Sequence, residues 1–269
     1  MKALYICLLM LLASIPVTAQ DYAAAQLEDS PRHHEWIEIE ADGRTIHAFA
    51  AFPERENDAP VVLVIHENRG LTDWVRSFAD QVAAAGYLAV APDHLSEFDA
   101  GHKRTSDFET SDAAREAIYE LDPDQVTQDL QAVRAHIAGM PSSNGNVVVA
   151  GFCWGGSQTF RFATDSNEIA AALVFYGSAP EDDAAFGSIS APVYGFYGED
   201  DQRINATIPA TQERMDKHGK AYDVVIYDGA GHAFMRSGDD PNEAGPNKMA
   251  RDQAWERLTE ILSDLEDED

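Results

Sequence analysis

The sequence predicts an α/β protein built on a mostly parallel central β-sheet with helices on both faces. Three observations carry this reading. Short uninterrupted apolar runs, such as Val61 to Ile65 (VVLVI) and Asn146 to Phe152 (NVVVAGF), are what strands buried on both faces look like. Between them lie segments whose apolar residues recur at helical spacing, as in Val126, Leu130, Val133 and Ile137. Repeated strand–helix alternation closes into a parallel sheet through right-handed crossovers.

The elements follow in chain order. Residues 20–32 read as a loose segment ahead of a single domain, 33–269. Trp36 to Phe52 alternates apolar and polar residues around Asp42-Gly43, which predicts two strands joined by a turn. Pro60 leads into the VVLVI strand. Leu71, Val75, Phe78 and Val82 mark a helix that Gly86 ends. Tyr87 to Asp93 (YLAVAPD) is the next strand. Residues from about 94 to 121 are charged and break the pattern just after a strand C-terminus, where α/β proteins build ligand sites. They read as an insertion that shapes or covers the active site. Asp122-Pro123-Asp124-Gln125 predicts an N-cap, a proline at N1 and a capping-box glutamine. NVVVAGF is followed by a helix from about Gly155. Ala171 to Gly177 and Pro192 to Gly198 are further strands, Thr207 to His218 a helix, and Tyr222 to Asp228 the last strand. Trp255, Leu258, Leu262 and Leu265 form the stripe of a C-terminal helix. There is no internal repeat.

Composition narrows the function classes. Lys2, the apolar stretch Ala3 to Ala13, and VTA at 17–19 have the three-part pattern of a secretory signal peptide, residues 1–19. The stretch is too short to span a bilayer, and no later segment is apolar for long enough. The expected location is the periplasm or outside the cell. Cys7 lies inside the removed segment, so Cys153 is the mature chain's single thiol and no intramolecular disulfide can form. The 269 residues hold 47 acidic against 19 basic side chains, a formal charge of −28. Such a surface excludes nucleic acid and anionic membranes as partners. His33-His34 and the scattered carboxylates lack a metal-ligand spacing, and no organic cofactor is called for. A monomer or a homodimer fits equally.

The chemistry concentrates at Gly151-Phe152-Cys153-Trp154-Gly155. This is Gly-x-nucleophile-x-Gly with cysteine in the serine position, on a strand-to-helix turn. By itself Cys153 could be a nucleophile, a redox thiol or a buried filler. The dipole of the following helix favours thiolate. The partners decide for a nucleophile. In this architecture an acid follows a later strand, and a histidine follows the last one. The first position offers Glu199, Asp200 and Asp201, and the second offers His232. Cys153 would attack an acyl carbon, and His232 would pair with the thiolate, protonate the leaving group and activate water. The acid would fix the imidazole. The backbone N–H groups of Trp154 and Asn68 are the candidate oxyanion hole.

These motifs, with "HENRG" at 66–70, "APD" at 91–93, "YGEDD" at 197–201 and "GAGHAFMR" at 229–236, resemble the dienelactone hydrolase family, a branch of the α/β-hydrolase fold. The resemblance runs from about Trp36 to the last helix. It implies Cys153, Asp201 and His232 as the triad, which selects Asp201 over Asp200. It implies that Glu67 interacts with the resting cysteine and participates in its activation; an ion pair with Arg69 or another base is the structural alternative. It implies that Arg236 holds a substrate carboxylate. A second arginine of the family, a few residues after "PD", is replaced here by Glu97, which should repel a carboxylate; Lys103 or Arg104 could substitute for it. The implied substrate is a small ester or lactone, with a carboxylate as an option. A broad esterase or thioesterase, a phosphotriester-accepting hydrolase, and a non-catalytic carboxylate-binding or redox-sensing protein are the alternatives.

Overall fold

A computed structural model describes residues 19–267. The predicted signal peptide lies outside the described residues except for its last position. The elements are α1 (Ala19–Asp29), β1 (His34–Ala41), β2 (Arg44–Ala51), β3 (Ala59–Ile65), α2 (Asp73–Ala84), β4 (Leu88–Pro92), α3 (Ser111–Glu120), α4 (Pro123–Ala138) and β5 (Ser143–Phe152). They continue with α5 (Trp154–Asp165), β6 (Ala171–Phe175), β7 (Val193–Gly198), α6 (Gln202–Asn205), α7 (Ile208–Lys217), β8 (Tyr222–Tyr227), α8 (Phe234–Gly238) and α9 (Pro246–Asp267).

The strands form one eight-stranded sheet in the order β1-β2-β4-β3-β5-β6-β7-β8. β2 runs antiparallel to β1 and β4, and every pairing from β4 to β8 is parallel. The period-2 alternation of β3 sorts its residues between two cores. Val62 and Val64 join Trp74 and Phe78 of α2 and Leu258 and Leu262 of α9. Val61, Leu63 and Ile65 join Val126 and Val133 of α4 and Phe160 of α5. Both sheet faces are therefore covered, which is why the apolar runs in the sequence are continuous. The parallel strands all end on one edge, and that edge carries the site.

Two local expectations are corrected. The segment read as loose, 20–32, is ordered: α1 packs on α2, with Tyr22 and Ala23 buried. Its alanine-rich sequence carries only a faint apolar stripe, so the sequence pattern missed it. Arg32 then grips buried Asp80 of α2 with Nε to Oδ1 at 2.7 Å and Nη2 to Oδ2 at 2.6 Å, and Ser30 and His34 bond the same carboxylate. Burial opposes the ionised form of Asp80, but these donors outweigh it and hold its pKa below the usual carboxylate range. At α4, Asp122 caps the helix by accepting from the Asp124 N–H at 2.9 Å, while Gln125 turns to Asp129 instead of closing a capping box.

The insertion contains α3. Its face of Ala114, Ala117 and Ile118 packs on Leu95 and against Trp154, forming a small third core beside the nucleophile turn.

Candidate active site

Cys153 follows directly on β5 and sits at φ 56°, ψ −112°. A non-glycine residue in that region is strained, and it persists only where its surroundings over-determine it. Here they do. The Cys153 N–H donates to the Phe175 carbonyl of β6 at 3.0 Å, and its carbonyl accepts the first bond of α5 from Ser157 at 3.1 Å. Gly155 lies where any Cβ would collide with the carbonyls of Ile65 and His66, so β3 and α5 approach as only glycine permits.

The loop after β3 supplies the facing wall. His66 is fully buried, with Nδ1 donating to the Glu67 carbonyl at 2.7 Å and Nε2 accepting the His94 N–H at 3.2 Å. Its ring stacks on Trp154 with centroids 5.4 Å apart, and His94 meets the same indole edge-on. Burial keeps both imidazoles neutral at ordinary pH by lowering their pKa values. This aromatic packing lies beside two backbone segments, those of Trp154 and Asn68, whose N–H groups favour the anionic form of the Cys153 sulfur.

After β7 and β8 come the other two residues. His232 Nδ1 lies 2.5 Å from Oδ2 of Asp201, whose side chain is buried. That bond leaves Nε2 as the free imidazole nitrogen. Tyr176, which the sequence did not single out, packs edge-on against His232 with centroids 5.0 Å apart and is itself at φ 43°. Asp200, one residue before Asp201, is exposed.

Glu67 and Arg236 meet each other. Arg236 Nε donates to Glu67 Oε2 at 2.7 Å, whereas Arg69 bonds Ser111 and lies 3.5 Å from Asp112. Among the described residues, Glu67 Oε1 and the Tyr176 hydroxyl are buried without a hydrogen-bond partner. Glu67 also bears on the nucleophile. Burial and then the Glu67 charge push the Cys153 thiol pKa up, outweighing the amides of Trp154 and Asn68 and the Arg203 guanidinium. The net push on the thiol is opposite to the one expected from the helix terminus alone. Desolvation in a buried turn exceeds what one helix end supplies.

Cys153, His232, Glu67, Asn68 and Arg236 line one cavity of about 380 Å³. Glu97 is not among its walls. It accepts from the Thr45 N–H, pairs with Lys103, and lines a separate cavity beside Arg44 and His94. The expected repulsion of a carboxylate by Glu97 is therefore removed, and Lys103 and Arg104 stand away from the site too. Besides the predicted Arg236, the cavity is lined by Arg69, Arg115 and Arg203, which were not expected there. Arg115 lies in the insertion and Arg203 two residues past Asp201, and neither position carries a sequence signal. Tyr119 of the insertion bonds Asn68, its hydroxyl accepting from Nδ2 at 3.0 Å. Among the described residues there is no group of three or more potential metal ligands, and no helix is long and apolar enough to cross a membrane.

Comparison with known proteins places this geometry. The family model described as "Dienelactone hydrolase family" matches residues 46–265. A protein of Saccharolobus solfataricus named "Putative carboxymethylenebutenolidase" is 30% identical, over 84% of this chain and 96% of its own length. A Bradyrhizobium protein named "Probable 2-oxo-3-(5-oxofuran-2-ylidene)propanoate lactonase" is 26% identical, over 74% of this chain and 83% of its own. Among solved structures, a dienelactone hydrolase-like promiscuous phosphotriesterase, P91, from metagenomic libraries superposes with a TM-score of 0.72. It is 21% identical and covers 87% of this chain and 98% of its own. The eight-stranded, mostly parallel sheet is that of the α/β-hydrolases.

Proposed function

This chain belongs to the dienelactone hydrolase family, and from that premise we propose that it hydrolyses small carboxylic esters or lactones through a cysteinyl-acyl intermediate. The observation that carries the reading is one cavity holding Cys153 and His232, with Asp201 bonded to the far side of that imidazole. The proposed catalytic residues are Cys153, His232 and Asp201.

The chemistry follows from the geometry. Cys153 sulfur attacks the acyl carbon, and the carbonyl oxygen gains negative charge facing the amides of Trp154 and Asn68. The C–O bond breaks, and the thiol proton, handed on to Nε2 of His232, passes to the departing oxygen. Water then attacks the thioester as His232 takes its proton, and the sulfur leaves. Asp201 holds the imidazole and supports its cationic form throughout.

Glu67 sets the timing. In the resting state its charge disfavours thiolate, and Arg236 occupies one of its oxygens. A substrate carboxylate on Arg236 competes with that pair and releases Glu67, which then takes the thiol proton and passes it to His232. Glu67→Gln removes a charge that disfavours thiolate and frees Arg236, and both changes stabilise the anion. Iodoacetamide labelling of Cys153 should then reach half-maximal rate at lower pH than in the wild type. A midpoint that stays or rises removes Glu67 from this role.

The direct test is a panel of lactones and neutral and anionic esters, with acid quenching and intact-mass measurement. A substrate acyl adduct confined to Cys153 is expected. Turnover without any adduct, at substrate levels that saturate the enzyme, overturns the covalent route. The signal-like N-terminus supports export as the proposed destination, with periplasmic or extracellular esters as substrates.

A further inference from the structure

We propose that the cavity contains a second anion subsite, formed by Arg115 of α3 and Arg203 of α6, and that its preferred ester carries two carboxylates, one for Arg236 and one for this pair. The inference rests on the ester-hydrolase reading above. The charge balance of the cavity is the first ground. The chain has 47 acidic and 19 basic residues, yet the cavity is lined by four arginines and a single carboxylate, Glu67. A wall drawn from the general surface would have the opposite sign.

The second ground is the state of those arginines. Among the described residues, every arginine outside the cavity is ion-paired except two, and these have other partners: Arg214 donates to the Pro180 carbonyl, and Arg104 lies over the Trp36 ring. Within the cavity Arg236 has Glu67, and Arg69 has Asp112. Arg115 and Arg203 have no carboxylate within ion-pair distance among the described residues; Arg115 lies only over the Tyr119 ring, at 5.8 Å. In a chain this acidic, leaving two guanidiniums unneutralised at one cavity calls for an anion from outside. Arg203 is also close enough to the reaction centre for its charge to favour the Cys153 thiolate. A planar guanidinium offers paired N–H donors that match a carboxylate, and it keeps its charge when exposed. The excess of acid over the rest of the molecule repels dianions, so recognition has to be local.

The test compares p-nitrophenyl monoesters of butyric, glutaric and tricarballylic acid, which carry no, one and two free carboxylates. In the wild type, kcat/KM should favour the dianion over the monoanion by about 10-fold or more, the scale of a charge-assisted hydrogen-bonded contact. In the Arg115→Gln/Arg203→Gln double variant that ratio should fall to near one. The ratio cancels any change in thiol reactivity, because both esters meet the same sulfur. Raising salt from 0.05 to 0.5 M should shrink the wild-type ratio, as screening at the exposed pair increases. Equal rates for the two anions in the wild type, or a preference that survives in the double variant, overturns the subsite. If the neutral ester is turned over in either case, the hydrolase reading stands; if no ester is turned over, both fall.

Discussion

Cys153→Ala is expected to lower p-nitrophenyl acetate turnover by about 10⁴-fold or more, close to what the oxyanion amides alone provide. The size of the loss follows from the site. No other thiol and no serine or threonine hydroxyl lines the cavity: its remaining walls are a carboxylate paired to Arg236, an amide, four arginines, an aromatic hydroxyl, the imidazole and an alanine. His232 could activate water directly, but it is oriented by Asp201 for a sulfur on the elbow. The substitution should leave the fold intact, since alanine and cysteine bear the same backbone penalty at φ 56°. Thermal unfolding by circular dichroism should therefore match the wild type while steady-state hydrolysis collapses. A folded variant keeping more than about a tenth of wild-type activity would return Cys153 to the status of a small buried side chain, because triad nucleophiles do not tolerate deletion.

Gly155→Ala should show the largest loss of stability. An added Cβ would meet the carbonyls of Ile65 and His66, which are backbone and cannot rotate aside. Either α5 or β3 must move, and β3 is buried along its whole length. Overpacking of this kind costs about 3 kcal/mol or more. Urea unfolding should show that drop in midpoint without a change in slope. Activity should fall further than stability explains, because a shift of α5 carries the Trp154 amide with it, and one misplaced oxyanion donor alone costs about 10²-fold or more. A variant with wild-type stability would mean that the elbow and the oxyanion loop are not in rigid contact.

Much of this was legible beforehand, for physical reasons. Buried parallel strands must be apolar on both faces, so β3 and β5 announce themselves as VVLVI and VVVAGF. An elbow needs its glycines, so Cys153 was marked by its neighbours as much as by its sulfur. Chain order then put an acid and His232 at the ends of the right strands. What stayed hidden depends on contacts between distant segments. The segment just after α1 is tied through Ser30, Arg32 and His34 to Asp80, about fifty residues away, and no local pattern reports that. The sign of the thiol shift depends on how far burial outweighs a helix end, and burial is a property of the folded molecule. Arg115 and Arg203 reach the cavity from a helix in the insertion and a one-turn helix, and neither has a spacing that marks it. Glu97 was legible only by alignment with a family position, and the insertion carries it to a different cavity.

The upward push on the Cys153 thiol has one more consequence for the proposed mechanism. Thiolates, not thiols, are what attack peroxides and disulfides and are oxidised by them. A permanently ionised nucleophile would be spent between turnovers wherever oxidants outnumber substrates. In the proposed mechanism, where ionisation is unfavourable until an incoming anion claims Arg236, the Glu67–Arg236 pair would confine the vulnerable species to the moments when an ester is present to consume it. The same latch that delays catalysis preserves the catalyst.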